Sequence, residues 1–317
     1  MQRPRITVIT PCRNQVDYIE RTICSVLDQG YEDLEYIVVD GGSDDGTEKL
    51  ISLYEDRITK VIREEDHGPA EALNRALMQA SGDVVGILYA DDLYLPGALE
   101  AVGSYFALHG EVGWATGRCL RMDGDDQMLG RIEVSAPPGL AAFLMHDCGP
   151  IPTVGSFFRR TLLEHVGKFD TSLGYAFDYE LMCRLLAGGH VPGVLPQVLS
   201  AQREHGESRS AMNPLEMGRE FVTAARRYGE KLSLAQRVAF WRNCDQRERI
   251  FALARAEMQG DAGQRFLWQQ VLRHPWWFAN PSLRHALLTG SRRLAMEVAS
   301  SSTTAGKANR GTSRRAA

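Results

Sequence analysis

The sequence has 317 residues, of which 44% are hydrophobic and 24% charged, and its formal net charge is -4. This length accommodates one large domain with an appendage, or two domains, with a sizeable core. A charge balance this close to neutral gives no reason to expect nucleic acid as a partner. The six cysteines are scattered without a Cys-x-x-Cys pair. This pattern argues against a disulfide scaffold and for a reducing compartment.

Membrane-spanning and secretory segments are not indicated by the hydropathy pattern. No stretch reaches the roughly 18 apolar residues that cross a bilayer. The first apolar run, at residues 6–10, is too short for a signal peptide. We therefore expect a cytoplasmic protein, with the inner face of the membrane as the place of any membrane contact.

Short apolar runs alternate with helical patterns over the first hundred residues. Strands are predicted at 6–10, 35–40, 58–63 and from Val84, each rich in β-branched or large aliphatic side chains. The last helix between them opens at Pro69, a residue well tolerated in a first turn. This alternation is typical of an α/β fold with a mainly parallel sheet flanked by helices. Ligands of such sheets bind beyond the carboxyl ends of the strands.

The pattern changes in the second hundred residues. Two short strands, at 111–116 and 127–134, flank an Asp- and Gly-rich turn and predict a hairpin insertion. A later helix begins at Asp178, where a carboxylate is also favoured by the helix dipole alone.

The C-terminal third of the chain predicts helices. We divide the sequence into an α/β domain at 1–212, a helical C-terminal extension at 213–298 and a disordered basic tail at 299–317. Residues 265–293 mix tryptophans and leucines with arginines and histidines. This mixture is found in helices that lie peripherally on an anionic membrane, and also in helix pairs that dock on a main domain. The sequence leaves both interpretations open.

Acidic side chains follow the predicted strands at the edge where ligands bind. Asp40 ends the second strand before two glycines, and Asp91 and Asp92 end the fourth. An acidic turn accounts for the last two residues taken alone, because Asp favours turns. Combined with Asp40, the pair instead suits a divalent cation, Mg²⁺ or Mn²⁺, which takes carboxylate oxygens and shares them with a phosphate.

If the ligand is a nucleoside diphosphate that carries a transferable group, the other parts of its binding site also have candidates. Asp40 would accept hydrogen bonds from a nucleoside. Asp178, preceded by the apolar Phe177, would be a general base, because partial burial raises a carboxyl pKa. Arg203 would reach a diphosphate, and His205 would reach the diphosphate or the metal.

Five ordered blocks, over roughly two thirds of the chain, carry a family resemblance. They are ITVITPCRN at 6–14; VVDGGSDDGT at 38–47; EDHGPAEALNRA at 65–76 followed by SGD at 81–83 and ADD at 90–92; FFRR at 157–160 through GKFD at 167–170; and YAFDYEL at 175–181. Together they resemble the inverting glycosyltransferases of the large bacterial family two, whose nucleotide-sugar-binding fold is called GT-A.

The resemblance implies roles for individual residues. The donor-binding positions that it implies are Pro11, Asn14, Asp40, Asn74 and Asp83. Asp91 matches the metal-binding second acid of the family's Asp-x-Asp motif, and Asp92 follows it. Asp178 matches the catalytic base that deprotonates the acceptor hydroxyl for in-line attack at the anomeric carbon.

The sequence departs from the family pattern at two positions, and a third residue is unusual. Tyr89 replaces the first acid of Asp-x-Asp, which leaves one carboxylate fewer near the metal or ribose. Phe177 replaces the acid often found before the base, which makes the surroundings of Asp178 more apolar. His67 stands where this family subset often has another polar residue.

These features predict a metal-dependent inverting glycosyltransferase. It would move a sugar from a nucleotide-sugar donor to a hydroxyl of a glycan or lipid-linked acceptor, in the biosynthesis of a cell-envelope polysaccharide. One alternative is a catalytically inactive nucleotide-sugar-binding interaction module, which Tyr89 favours and Asp178 opposes. Another is a nucleotidyltransferase, whose triphosphate loop is not found after the first strand.

Overall fold

A computed structural model describes residues 3–145, 150–258 and 260–279, together with Leu283 and Leu287. For residues 210–211 and 254–258 and 260–264 it describes the backbone alone. The tail predicted at 299–317 lies outside the described residues.

Strands and helices alternate through the first half of the chain. The strands are β1 (Ile6–Cys12), β2 (Leu34–Asp40), β3 (Lys60–Arg63), β4 (Val84–Ile87), β5 (Leu93–Tyr94), β6 (Trp114–Met122), β7 (Met128–Ile132), β8 (Ser156–Arg159) and β9 (Gly193–Arg203). The helices are α1 (Ile19–Leu27), α2 (Thr47–Ser52), α3 (Pro69–Leu77), α4 (Ala98–Leu108), α5 (Leu140–Met145), α6 (Arg160–Val166), α7 (Phe177–Ala187), α8 (Arg209–Met212), α9 (Pro214–Gly229), α10 (Leu234–Met258) and α11 (Gly260–Arg273). Short 3₁₀ turns lie at Thr153–Gly155 and Pro275–Ala279.

The strands form a single mixed sheet. Its order is β3-β2-β1-β4-β8-β6-β9-β5, and β7 pairs with β6. The first four strands of that order are parallel, as the alternating pattern predicts. Antiparallel pairs join β4 to β8 and β8 to β6, and the predicted hairpin of β6 and β7 is present. Short connections favour antiparallel neighbours, because a parallel return needs a long crossover.

Helices cover both faces of the sheet, which confirms the α/β prediction. Alternate residues of a strand point to opposite faces. Ile9 and Val39 belong to a buried cluster with residues of α3 and α7. Val8 and Val38 belong to a second buried cluster with residues of α1 and α4. The central strands are therefore buried on both sides, and the polar chemistry is confined to the strand ends.

The C-terminal helices fall into two packing groups. The helix α9 and the first half of α10 contribute Val222, Ala225 and Phe240 to the cluster that also holds α7. The end of α10 packs instead with α11 in a separate small cluster around Trp277. Among the described residues, no helix combines the length and apolar character that a membrane span requires.

Candidate active site

The loops that follow β1 and β2 are tied to each other at the carboxyl edge of the sheet. Asn14 adopts a positive φ of 53°, which Asn tolerates better than most residues. Its side-chain oxygen accepts a hydrogen bond from the Asp44 N–H at 3.0 Å, and its own N–H donates to Ser43 Oγ at 2.9 Å. Pro11, the next-to-last residue of β1, lies beside Val39 of β2. These contacts form one rigid double loop.

Asp40 lies at the floor of this double loop. Its side chain is buried, and its Oδ1 accepts hydrogen bonds from the Ser43 N–H at 3.0 Å and the Ser43 hydroxyl at 2.6 Å. The described residues make no hydrogen bond to the other carboxylate oxygen, Oδ2. Asp40 therefore keeps an acceptor for a ligand donor.

A second acid, Asp66, lies against the same loop and was given no role from the sequence. A Cβ at Gly41 would lie 2.2 Å from Asp66 Oδ2, so only glycine permits this approach. The Gly68 N–H donates to Asp66 Oδ1 at 2.9 Å, and Arg13 donates to the Asp66 carbonyl. Burial raises the pKa of the Asp66 carboxyl. The glycine at position 41 was the sequence signal for a close neighbour, although the neighbour could not be named.

The side chains of Asn74 and Asp83 are both engaged by the protein backbone. The Asn74 amide pairs with the backbone of Phe169, donating to its carbonyl at 2.9 Å and accepting from its N–H at 2.8 Å. Asn74 thereby fixes the loop that precedes α7. Asp83 lies before the first residue of β4 and accepts a hydrogen bond from the Arg5 N–H at 3.1 Å. It is therefore at the opposite edge of the sheet from Asp40, which corrects its expected place in the donor pocket.

Asp92 is an internal support of the turn after β4. It is buried, and its Oδ1 accepts a hydrogen bond from the backbone N–H of Arg203 at 2.7 Å. Burial, and then the neighbouring charge of Asp91, raise the pKa of the Asp92 carboxyl well above its usual range. The Thr22 hydroxyl also bonds the Asp92 carbonyl at 2.9 Å. This placement opposes the expectation that Asp92 ligates a metal directly.

Arg203, the last residue of β9, stabilises the same turn by hydrogen bonds from the protein interior. Its guanidinium is buried, with Nε donating to the Asp91 carbonyl at 2.7 Å and Nη1 paired with Asp126 of the β6–β7 turn. The guanidinium also lies over the Tyr18 ring, 4.9 Å from its centroid. The expected contact between Arg203 and a diphosphate is therefore not available in this arrangement, because the charge faces the protein interior.

Asp91 and His205 form a contact pair in which only Asp91 is partly exposed. Asp91 has a side chain that is 20% exposed, and its Oδ2 lies 3.1 Å from His205 Nε2. The His205 ring packs against Tyr18 with a centroid distance of 4.6 Å. Its Nδ1 is buried without a hydrogen-bond partner among the described residues. These two side chains, predicted from separate loops, are brought together.

This pair fits a divalent cation that is shared with a ligand. A search of the described residues finds no group of three or more His, Cys, Asp and Glu side chains that would hold a metal ion alone. Asp91 and His205 supply one oxygen and one nitrogen ligand at neighbouring positions. Mg²⁺ and Mn²⁺ commonly complete their coordination with phosphate oxygens and water. A metal with only two protein ligands would accordingly depend on the diphosphate of the donor.

Asp178 occupies the first turn of α7 on the other side of the crevice. Its Oδ2 accepts a hydrogen bond from the Thr153 hydroxyl at 2.7 Å, and its Oδ1 from the Tyr179 N–H at 2.7 Å. Burial raises the pKa of the Asp178 carboxyl above its usual value. The carboxylate is therefore held in one orientation and is a better proton acceptor than an exposed aspartate.

Two sides of the crevice, which we call its arms, carry the acids: one holds Asp91 and His205, and the other holds Asp178. Tyr89, which stands in the first position of the acidic motif, is near both arms. Burial raises the pKa of its hydroxyl well above the usual value, and the charges of Asp178, Asp92 and Asp91 raise it further. The carboxylates of both arms are thus close enough to act on one phenol. Tyr89 is therefore near both Asp91 and Asp178.

Arg209 is a basic residue of this crevice that sequence reasoning missed. It opens α8, donates to the Gly174 carbonyl at 3.1 Å and lies over the Tyr175 ring at 5.4 Å. A Cβ at Gly68 would lie 3.6 Å from its Nη1, so it bridges the loops before α3 and α7. Its charge lowers the pKa of Tyr89, opposing the carboxylates. Nothing in the sequence distinguished Arg209 from Arg203, since only the fold shows which guanidinium is exposed.

A crevice at the carboxyl ends of parallel strands, lined by acids from separate loops, defines an α/β protein of the GT-A type. Residues 7–167, about half of the chain, match the family described as Glycosyl transferase family 2. The chain belongs to that family.

A known relative agrees with this assignment, and solved structures agree with the fold. Over 101 residues the chain is 45% identical to the putative teichuronic acid biosynthesis glycosyltransferase TuaG of Bacillus subtilis. This match covers 31% of this chain and 40% of TuaG. A mannosyltransferase of Pyrobaculum calidifontis, solved with GDP-Man and Mn²⁺, superposes with a TM-score of 0.55 at 22% identity, covering 94% of this chain and 87% of that one. TarS 1-349 of S. aureus, solved with UDP-GlcNAc, gives 0.53 at 15%, covering 94% and 92%. The chain thus spans less than half of the length of TuaG.

Proposed function

We propose that the protein is a metal-assisted inverting glycosyltransferase that uses a nucleotide-sugar donor. The observation that carries the proposal is that Tyr89 lies near both the partly exposed Asp91, which is paired with His205, and the enclosed carboxylate of Asp178. One arm has the chemistry to bind a cation, and the other has the chemistry to accept a proton. Transfer from a nucleotide sugar needs both on opposite sides of the anomeric carbon.

The nucleoside end of the donor is assigned to the double loop after β1 and β2. The free oxygen of Asp40 would accept a hydrogen bond from the base or the ribose, and the Pro11 and Asn14 segment would form the adjacent wall. Structural neighbours of this chain were solved with GDP-Man or UDP-GlcNAc, which supports a nucleoside diphosphate sugar as the donor class.

The diphosphate is assigned to Asp91 and His205, which would hold Mg²⁺ or Mn²⁺. When bound, such a cation neutralises the charge that builds on the departing diphosphate. Arg209 is exposed and would add a second positive charge near Tyr89. Arg203 and Asp92 hold the Asp91 turn in place without touching the donor.

Asp178 is assigned as the general base. Its carboxylate would take the proton of an acceptor hydroxyl as the hydroxyl oxygen forms its bond to the anomeric carbon. The bond from that carbon to the diphosphate oxygen breaks at the same time, and the diphosphate leaves from the opposite face. A single displacement of this kind inverts the anomeric configuration.

The acceptor is proposed to be a hydroxyl of a glycan or of a lipid-linked oligosaccharide in the synthesis of a cell-envelope polysaccharide. The similarity to the putative teichuronic acid biosynthesis glycosyltransferase of Bacillus subtilis supports this class. Such acceptors would place the protein in the cytoplasm, at the inner face of the membrane.

A donor screen tests the proposal directly. Thermal unfolding is measured with UDP- and GDP-sugars, with and without Mn²⁺, because a ligand that binds the native state raises the melting temperature. We expect stabilisation by one nucleotide class, dependent on the cation, and release of the nucleoside diphosphate when an acceptor is added. Binding without any metal-dependent transfer or hydrolysis would identify an inactive binding module instead. Release of pyrophosphate from a nucleoside triphosphate would identify a nucleotidyltransferase.

A further inference from the structure

An exposed apolar surface lies on α11 and the turn that follows it. We call this surface the aromatic patch and define it by Trp268, Leu272, Trp276 and Phe278, which are 42%, 76%, 60% and 43% exposed. Trp268 and Leu272 are one helical turn apart and therefore lie on one face. Soluble proteins expose single apolar residues commonly, but contiguous large ones mark an interaction site.

The aromatic patch is held by a packed interior. Leu267, Val271 and Trp277, which alternate with the patch residues in the sequence, are buried against the end of α10. Two hydrogen bonds join Trp276 and Trp277 to the Asp245 carboxylate, at 3.1 and 2.6 Å. The helix therefore has one apolar face in its own core and a second one outside it. The core does not explain the second face.

Three exposed arginines lie on α10 and α11, the helices that form the small cluster under the patch. Arg242 of α10 and Arg265 and Arg273 of α11 are exposed, and none of them forms an ion pair within the described part of the chain. Asp245, which contacts the patch, is already bound by Arg249 and the two indoles.

Three exposed arginines of the α/β part, Arg3, Arg57 and Arg121, each pair with an acidic side chain. They serve as a contrast to the three arginines near the patch. Apolar aromatic side chains flanked by uncompensated positive charge are complementary to the surface of an anionic bilayer, where indoles lie among headgroups and each basic residue contributes about 1 kcal/mol.

We infer that the aromatic patch and its three arginines form a docking surface for an anionic lipid bilayer. A second copy of the chain is a poorer occupant, because a two-fold interface on this surface would bring the same unpaired arginines of both copies together. The sequence continues the basic character beyond the described residues, with Lys307, Arg310, Arg314 and Arg315. The inference concerns a surface outside the crevice and holds whatever the donor is.

Vesicle sedimentation with the full chain tests the inference. The probes are vesicles of phosphatidylcholine alone and of phosphatidylcholine with phosphatidylglycerol. We expect binding to the anionic vesicles, weakened by added salt, and little binding to the neutral ones. The triple variant Arg242→Gln, Arg265→Gln, Arg273→Gln should bind about 100-fold more weakly, since it removes about three basic contributions of 1 kcal/mol each. The matched control is Arg57→Gln, which removes an exposed but paired arginine and should bind like the wild type.

The apolar half of the surface is tested separately. Trp268→Ser with Leu272→Ser should lose anionic vesicle binding, whereas Leu53→Ser with Leu108→Ser, at positions that are 70% and 66% exposed on the α/β part, should retain it. Circular dichroism of every variant distinguishes loss of the surface from loss of folding. Quenching of tryptophan emission by brominated lipids should occur in the wild type and diminish in Trp268→Ser.

Three outcomes would overturn the inference. Equal binding of the wild type and both patch variants would remove the surface from any lipid role. A dimer in light scattering that Trp268→Ser dissociates, without vesicle binding, would assign the surface to a second copy. Tryptophan emission that is unaffected by brominated lipids, together with absent sedimentation, would show that the patch is covered by another part of the chain.

Discussion

The two arms of the crevice hold their carboxylates in opposite ways. Asp91 is fixed through its backbone, since Arg203 binds its carbonyl; within the described part of the chain, its side chain bonds only to His205. Asp178 is fixed through its side chain, because Thr153 and the Tyr179 N–H each bind one carboxylate oxygen. A cation ligand needs oxygens that remain available, whereas a general base needs a defined orientation and a raised pKa. The difference in support thus matches the difference in proposed role.

The adjacent acids Asp91 and Asp92 show the same contrast over one peptide bond. Asp92 is buried and bonded to the Arg203 N–H, whereas Asp91 is partly exposed. Asp92 is part of the scaffold, and Asp91 is available to a ligand. Mutations should distinguish the roles of the two arms, and then the roles of Asp91 and Asp92.

The largest expected effect is that of Asp178→Asn. The amide keeps the size of the side chain but cannot accept a proton, so turnover should fall by about 100-fold or more. Donor affinity in the presence of Mn²⁺ should change little, because the proposed donor contacts lie on the other arm. Initial rates and a nucleotide titration measure the two quantities. Turnover near that of the wild type would remove Asp178 from the role of base.

The next effect is that of Asp91→Ala, compared with Asp92→Ala. Loss of the Asp91 carboxylate should weaken Mn²⁺-dependent nucleotide binding by about 100-fold. Mutations around a metal site reduce metal affinity on this scale. Stability should be nearly unchanged, since the Arg203 contact is to the Asp91 backbone.

Asp92→Ala should give the reverse result. It leaves the Arg203 N–H buried without its partner and should lower the free energy of unfolding by about 1–3 kcal/mol. Calorimetric titration with and without Mn²⁺, and chemical denaturation, measure both variants. Equal nucleotide affinity of Asp91→Ala and the wild type, with and without Mn²⁺, would contradict the metal assignment.

A smaller effect is expected for Arg209→Ala. Arg209 is exposed beside Tyr89, so a charge-assisted contact to the diphosphate should be worth about 1.5 kcal/mol, or about tenfold in donor affinity. Arg219→Ala is the control, because Arg219 is also exposed but pairs with Glu216 on α9. A donor affinity equal to that of the control would leave Arg209 with only its structural contact to Gly174.

The sequence predicted those features that depend on local pattern. The parallel strands, the hairpin and the convergence of acids at the carboxyl edge follow from alternation and from the rule that parallel strands end together. The mixed second half of the sheet does not follow, because short strands such as Leu93–Tyr94 carry too little pattern to fix a partner.

The site was predicted in part for the same reason. Asp91 and His205 are 114 positions apart, and their pairing needed only the correct strand ends. Burial was harder, since it depends on tertiary packing: the sequence could not show that Asp92 and Arg203 face inward while Arg209 faces out. The expected place of Asp83 in the donor pocket was not found, because its block of sequence spans β4, whose two ends lie at opposite edges of the sheet.

The smallest expected effect concerns the support of the base itself. The Thr153 hydroxyl stabilises the charged form of Asp178 and so lowers a pKa that burial raises. Thr153→Val should therefore raise that pKa further, because the charged form loses a hydrogen bond worth about 0.5–1.5 kcal/mol. Only the deprotonated carboxylate accepts the acceptor proton, so the acidic limb of the turnover profile should move to higher pH. Thr153→Ser restores the hydroxyl and should return the limb to its wild-type position, and an unshifted limb in Thr153→Val would mean that Asp178 does not set it.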